Sequence, residues 1–203
     1  MMLTGRFEAA LALAAFLHNG QVRKGTDIPY ISHLLAVSAI VLEHGGSEDE
    51  AIAALLHDAV EDQGGPETLQ RIERSFGRTV AEIVAANSDT DAPVKPPWKE
   101  RKSAYIAHIR EASPSARLVS AADKLHNARS ILAEFDALNA SCWSKFNAPR
   151  EEILWYYRGL ANAFTARSAG SLAVEFEAAV RELERRAREA PLPDRCHTAP
   201  AAT

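Results

Sequence analysis

Residues 55–65 read LLHDAVEDQGG, and this stretch decides both the fold and the chemistry that we expect of the chain. His57-Asp58 and Glu61-Asp62 interrupt an otherwise apolar run, although Glu is rarely buried and Asp propagates helices poorly. At about 100° per residue, these four side chains would share one arc of a continuous helix. Adjacent His and Asp can reach one divalent cation, and acidic groups one turn later can handle a water proton. The stretch therefore predicts a hydrolytic metal centre.

Helical spacing of apolar residues continues on both sides of this stretch. Ser47 followed by Glu50 has the form of a capping box and should begin the helix that carries His57-Asp58, which Gly64-Gly65 should end. Further helices are predicted around 7–17, 33–41, 69–76, 80–84, 99–111, 116–135, 149–168 and 171–189, with a polar, proline-rich loop over 87–98. No stretch alternates as a strand would. We therefore predict an all-α helical bundle, with residues 1–189 as a single domain and 190–203 as a disordered tail.

Composition narrows the function classes. The chain has 203 residues, 47% of them hydrophobic, and a net charge of -4, which argues against general affinity for nucleic acid. The two cysteines suggest neither a disulfide framework nor a thiolate metal site. The first residues lack a signal-peptide pattern and no long uncharged apolar run follows, so we expect a cytoplasmic protein without membrane contact. The oligomeric state is open, with a homodimer as one alternative.

The remaining metal ligands should come from other helices. His33 stands near the start of the second helix, and Asp123 lies within the apolar run 118–125, where a lone carboxylate is costly unless it is paired or liganded. His33, His57, Asp58 and Asp123 offer nitrogen and oxygen, which suit one Mn²⁺, Fe²⁺ or Mg²⁺ ion better than structural zinc. The alternative is that each is structural, with Asp123 paired to Lys124. For the other histidines of the folded part we expect structural roles, although His18 could lie near the site; they are His18, His44, His108 and His126.

The order of these motifs resembles the HD phosphohydrolase superfamily. More narrowly, the chain is similar to the hydrolase domain of RelA/SpoT-type enzymes from about residue 8 to 165. The motifs that carry this resemblance are His18-x-Gly20-Gln21-x-Arg23-Lys24, Pro29-Tyr30-Ile31-x-His33, His57-Asp58-x-x-Glu61-Asp62 and Ala122-Asp123-Lys124-Leu125-x-Asn127. The chain has no room for the synthetase domain of the long enzymes, and it looks like a stand-alone small alarmone hydrolase.

The resemblance implies a 3′-pyrophosphohydrolase of ppGpp or pppGpp, with Mn²⁺ as the usual ion. It implies proton transfer by Glu61 and orientation of water by Asp62. Arg23 and Lys24 match a basic pair that would stack on the purine and neutralise phosphate. Asn127 would contact ribose hydroxyls. Within a second basic cluster, Lys95, Lys99, Arg101 and Lys102, we expect Lys99 and Arg101 to receive the 5′-diphosphate, with solvated surface charge as the alternative.

Two other functions compete with this interpretation. A similar small hydrolase could remove the 2′-phosphate of NADPH instead of the pyrophosphate of ppGpp. A catalytically silent alarmone sensor would bind nucleotide without turnover, although the intact Glu61-Asp62 pair argues against it.

Overall fold

Helices form most of the chain in the computed structural model, which describes residues 2–88, 96–166 and 170–189. The helices are α1 (Gly5–Leu17), α2 (Ile31–Glu43), α3 (Glu48–Leu56), α4 (Ala59–Asp62), α5 (Gly65–Phe76), α6 (Arg78–Asn87), α7 (Trp98–Glu111), α8 (Pro114–Leu138), α9 (Arg150–Thr165) and α10 (Ser171–Glu189), and a 3₁₀ segment spans Asn139–Lys145. Within these described ranges there is no strand; an isolated antiparallel bridge joins Val22 to Pro29. The all-α prediction is confirmed.

Helix α3 lies at the centre of the hydrophobic core. Its residues from Ala51 to Leu56 are all inaccessible to solvent, because α1, α2, α6 and α8 surround the helix. Burial of each Leu or Ile side chain contributes about 1.5–3 kcal/mol relative to exposure. His57 and Asp58, which follow α3 directly, are therefore attached to a fully buried helix.

The start of α3 has the capping box that the sequence predicts. The Ser47 hydroxyl accepts a hydrogen bond from the backbone N–H of Glu50, and the Glu50 carboxylate accepts one from the backbone N–H of Ser47 at 2.6 Å. Two N–H groups at the helix terminus thus have partners, which fixes where the helix begins.

The expectation of one continuous helix through His57-Asp58 and Glu61-Asp62 is wrong. Helix α3 ends at Leu56, and a separate short helix, α4, begins at Ala59. The backbone of Asp58, with φ of -93° and ψ of -5°, leaves the helical path at this point. The break has a local and a tertiary cause. Asp propagates helices poorly, and the Asp58 carboxylate is held by Tyr30 and lies beside the imidazoles of His33 and His57. The arc of a single helix therefore does not relate His57-Asp58 to Glu61-Asp62.

The other boundaries follow the sequence pattern closely. Helix α6 ends and α7 begins at the edges of the predicted loop over 87–98, of which residues 89–95, with Lys95, lie outside the described part. The predicted tail, residues 190–203, lies outside it as well. The sequence did not predict the 3₁₀ segment after α8. Among the described helices, none is long and apolar enough to span a bilayer.

Candidate metal centre and nucleotide cavity

Two imidazoles and two carboxylates converge where α2, the α3–α4 junction and α8 meet. Nε2 of His33 lies 3.6 Å from Oδ2 of Asp58 and 3.3 Å from Oδ1 of Asp123. Nε2 of His57 lies 3.0 Å and 3.8 Å from the same two oxygens. The ligand atoms of His33, His57 and Asp58 are all within 4.8 Å of one another. The structure thus brings together the four residues that the sequence predicts as ligands.

The unused lone pairs of this cluster fit a divalent cation. The Nδ1 side of each ring is already engaged: His57 Nδ1 donates to the backbone oxygen of Ala54 at 2.8 Å, and His33 Nδ1 lies 2.8 Å from Nδ1 of His126. Nε2 of His57 is buried and makes no hydrogen bond within the described residues, despite the nearby carboxylate. A buried nitrogen without a partner, facing carboxylate oxygens, is suited to a metal ion.

Electrostatics at the cluster keep both carboxylates charged. Burial is the largest single influence and favours neutral Asp58 and Asp123. The charges and hydrogen bonds of their neighbours together outweigh it, His57 with His33 for Asp58 and Lys124 with both imidazoles for Asp123, so the pKa of each carboxyl lies well below its ordinary value. Burial likewise disfavours protonated His57, yet the two carboxylates hold its pKa well above the ordinary value. The cluster therefore attracts positive charge, whether a proton or a cation.

Tyr30 and Lys124 support the two carboxylates from outside the cluster. The Tyr30 hydroxyl donates to Oδ2 of Asp58 at 2.6 Å, and burial together with the Asp58 charge raises the pKa of Tyr30, which stays a donor. Nζ of Lys124 donates to Oδ2 of Asp123 at 2.6 Å, which leaves Oδ1 directed at the imidazoles. The two interpretations of Asp123, ligand and partner of Lys124, are therefore compatible.

The acidic pair of α4 stands at the edge of this centre. Glu61 and Asp62 are both solvent-accessible. Oδ2 of Asp62 accepts a hydrogen bond from Nε2 of Gln21 at 2.9 Å, and Oε1 of Gln21 accepts from Gln63 and from Nδ1 of His18 at 2.7 Å each. Partial burial, and then the charges of Asp58 and Glu61, raise the pKa of Asp62. Asp62 is thus a carboxylate with an elevated pKa, held in one orientation by a glutamine.

A cavity of about 330 Å³ adjoins the metal centre and shares Tyr30 and Lys124 with it. Three residues that the sequence predicts for substrate binding line it, Arg23, Lys24 and Asn127. The rest of its wall includes Trp98, Lys102, Glu134, Lys145, Phe146, Tyr156 and Tyr157. Cations outnumber the one glutamate among the described lining residues, so the cavity suits a polyanion with an aromatic or apolar part.

Lys99 and Arg101 lie outside this lining. Nζ of Lys99 is 3.5 Å from Glu152 and 5.4 Å from the ring centre of Trp155, and Nε of Arg101 donates to the backbone oxygen of Pro96 at 3.2 Å. Among the described residues of the second basic cluster, Lys102 lines the cavity, and its Nζ lies 5.2 Å from the ring centre of Tyr156.

A chain of hydrogen bonds connects the cavity to the metal centre. Nη2 of Arg23 donates to Oδ1 of Asn127 at 2.6 Å, and Nδ2 of Asn127 donates to Oδ1 of Asp123. The Arg23 guanidinium also lies 5.6 Å from the ring centre of Tyr30, as a cation over an aromatic face. Within the described residues neither the Arg23 nor the Asn127 side chain is hydrogen-bonded to the backbone, and both line the cavity.

Sequence reasoning missed the position of His126. We expected a structural histidine, but burial and the neighbouring His33 and Arg23 lower its pKa to about 4, and its ring is bonded to His33, one of the predicted ligands. The available signal was its spacing, because His126 follows Asp123 by three residues and so lies near it on the same helix. His18, through Gln21, is similarly connected to Asp62.

Comparisons with known proteins agree with this geometry. A family model described as an HD domain matches residues 10–162. The chain is 41% identical over 132 residues to the guanosine-3′,5′-bis(diphosphate) 3′-pyrophosphohydrolase MESH1 of Xenopus tropicalis, a match that covers 61% of this chain and 71% of that protein. It is 34% identical over 132 residues to the bifunctional (p)ppGpp synthase/hydrolase SpoT of Escherichia coli, covering 62% of this chain and 18% of SpoT.

Solved structures show the same architecture. A metazoan ortholog of SpoT described as hydrolysing ppGpp superimposes with a TM-score of 0.74 at 25% identity, over 90% of this chain and 97% of that one. The lmo0812 protein of Listeria monocytogenes gives a TM-score of 0.68 at 29% identity, over 75% of this chain and 99% of that one. The chain therefore belongs to the HD-domain family, alongside the guanosine-3′,5′-bis(diphosphate) 3′-pyrophosphohydrolases that its sequence and its fold both match.

Proposed function

We propose that this protein is a metal-dependent ppGpp 3′-pyrophosphohydrolase, which converts ppGpp and water to GDP and pyrophosphate. One observation carries the proposal: the four-residue metal cluster and the cation-rich cavity share Tyr30 and Lys124, so a nucleotide in the cavity can present a phosphate to the metal. The names of the relatives point to the same reaction.

The metal would be held by His33, His57, Asp58 and Asp123. Two imidazoles and two carboxylates without thiolate suit Mn²⁺, Fe²⁺ or Mg²⁺, and we propose Mn²⁺ among them because the resemblance to RelA/SpoT-type hydrolases implies it. A divalent cation bound there supplies Lewis acidity, which lowers the pKa of water and polarises a phosphoryl group. Tyr30 and Lys124 would keep Asp58 and Asp123 oriented while they hold the ion.

The acidic pair of α4 would manage protons. Water attacks the phosphorus attached to the ribose 3′-oxygen, the bond between them breaks, and the 3′-oxygen gains a proton as pyrophosphate leaves. We assign removal of the water proton to Glu61 and orientation of the water to Asp62, whose second oxygen stays available when Gln21 bonds the first.

The cavity would hold the rest of the nucleotide. Arg23 would stack on the guanine, Asn127 would bind ribose hydroxyls, and Lys24 would neutralise phosphate, as the sequence predicts. Lys102 and Lys145 also face the cavity and are added here as phosphate ligands. Lys99 and Arg101 keep a role only for 5′-phosphates that extend beyond the cavity wall.

A nucleotide panel tests the proposal. Purified protein with Mn²⁺ is given ppGpp, pppGpp and NADPH, and released pyrophosphate and orthophosphate are measured separately. Pyrophosphate from ppGpp is expected, and its loss in Asp58→Ala but not in His44→Ala would assign turnover to this site. Orthophosphate from NADPH with ppGpp untouched would establish the alternative phosphatase, whereas ppGpp binding without turnover would establish a sensor. The cytoplasmic location and the homodimer stay predictions.

A further inference from the structure

Both ring nitrogens of His33 lie close to side chains of α8, Nε2 to Asp123 and Nδ1 to His126. Its Nε2 faces Asp58 and Asp123, and its Nδ1 lies 2.8 Å from Nδ1 of His126. The two rings have centroids 4.8 Å apart and planes inclined at 46°. His33 itself is only 1% exposed, so solvent does not replace either interaction.

The contact between the two Nδ1 atoms determines where the protons lie. Two nitrogens at this distance share one hydrogen, so one ring donates and the other accepts. If Nε2 of His33 presents its lone pair to a cation, its proton must be on Nδ1. His126 must then accept at Nδ1 and carry its own proton on Nε2. The opposite assignment would put a proton on Nε2 of His33, directed into the metal cluster.

We propose that His126 is a positioning residue that fixes the tautomer and ring orientation of His33 and thereby sets the affinity of the centre for divalent cations. This inference rests on the proposed function of the same site. Asp123 and His126 are three residues apart on α8, so one helix supplies both a ligand and the acceptor that orients another ligand.

The choice of an imidazole as this acceptor has a physical consequence. Ligand histidines usually donate to a carboxylate, a backbone carbonyl or water, and His57 follows that pattern with Ala54. A carboxylate at position 126 would add a third negative charge beside Asp58 and Asp123. A neutral imidazole provides the acceptor without that charge, which keeps the cluster at two carboxylates.

Manganese titration of the nucleotide-free protein tests the inference, with free Mn²⁺ measured by electron paramagnetic resonance. His126→Leu removes the acceptor and should weaken Mn²⁺ binding by about 10- to 100-fold, the usual effect of losing an outer partner of a ligand. His126→Asn places an amide oxygen near the Nδ1 position and should restore most of the affinity.

His44→Leu is the matched control, because His44 caps the other end of α2 and also bonds through Nδ1, to Ser171 at 2.8 Å. It lies about 16 Å from His33 along the helix, so Mn²⁺ affinity should be unchanged. The inference would be overturned if His126→Leu bound Mn²⁺ as tightly as the wild type. It would also be overturned if His126→Asn bound Mn²⁺ no more tightly than His126→Leu while both variants had the melting temperature of the wild type.

A second measurement does not depend on whether the variants fold. Nitrogen-15 spectra of the Mg²⁺-loaded wild type should show the His33 proton on Nδ1 and the His126 proton on Nε2; the reverse pattern would refute the inference. Neither measurement uses nucleotide, so wild-type protein that fails to hydrolyse ppGpp would disprove the proposed function and leave this result standing.

Discussion

Lys124→Met should destabilise the metal-free protein and strengthen its binding of Mn²⁺. Nζ of Lys124 is 2.6 Å from Oδ2 of Asp123, and the lysine side chain is 18% exposed. Methionine retains most of the apolar stem and removes the charge. The Asp123 carboxylate then stays buried beside Asp58 with less positive charge near it, which raises the energy of the metal-free fold and makes the cluster more attractive to a cation.

The size of each effect can be worked out. Removal of one partner from a buried ion pair lowers the free energy of unfolding by about 3–5 kcal/mol. Because Lys124 is partly exposed, we expect a loss of about 3 kcal/mol. For a chain of this length, that loss lowers the melting temperature by about 6–12 °C. We expect Lys124→Met to bind Mn²⁺ about tenfold more tightly than the wild type, a gain that corresponds to about 1.4 kcal/mol. Saturating Mn²⁺ should therefore recover about half of the deficit.

Urea unfolding followed by circular dichroism, with and without Mn²⁺, measures both effects. Lys99→Met is the control, because the Lys99 side chain is 60% exposed and 3.5 Å from Glu152, so its loss should change stability by less than about 0.5 kcal/mol. The reasoning fails if Lys124→Met is as stable as the wild type without metal, or if Mn²⁺ stabilises both proteins equally.

Three further predictions concern proton transfer, packing and the cavity. Gln21→Leu removes the donor that favours ionised Asp62, so the acid limb of the kcat/KM profile should move to higher pH; an unmoved limb contradicts this. Gly46→Ala places a Cβ 2.5 Å from a side-chain carbon of α2 and 2.8 Å from a backbone oxygen. Urea unfolding should therefore show that the free energy of unfolding falls by about 1–3 kcal/mol. Gly5→Ala, where a Cβ meets open space, should show no loss of stability. Glu134→Gln removes the acidic group of the cavity wall and should lower the KM for ppGpp up to about fivefold at constant kcat; a raised KM would exclude phosphate near it.

Local rules allowed much of the fold to be predicted. The Ser47–Glu50 capping box depends on neighbours three residues apart, so the sequence contains all of its information. Carboxylates in apolar runs likewise indicated Asp58 and Asp123, because burial without a partner is costly. The break after Leu56 was missed, since it also depends on Tyr30 and His33, which are distant in sequence and contact the Asp58 side chain.

The cavity wall was harder to predict because it depends on the rotation of α7. The inner face of that helix carries Trp98, Tyr105, Ile106 and Ile109, and Lys102 has the same helical phase. Arg101, one residue earlier, points elsewhere and bonds the backbone of Pro96. A lysine within an apolar stripe was therefore the better signal for a cavity residue than the density of the basic cluster.

In the proposed site, Asn127 would link binding of the ion to binding of the nucleotide. Its amide nitrogen bonds Asp123 and its amide oxygen bonds Arg23, so one planar group contacts both a metal ligand and the cavity. If nucleotide and ion bind as proposed, a nucleotide that engages Asn127 or Arg23 would alter the hydrogen bond to the Asp123 carboxylate, and an ion on Asp123 would alter what Asn127 offers to the nucleotide. Thermodynamic reciprocity then requires that each ligand alter the affinity of the other by the same factor. The rate of hydrolysis would therefore depend on the concentrations of alarmone and metal jointly rather than on each independently.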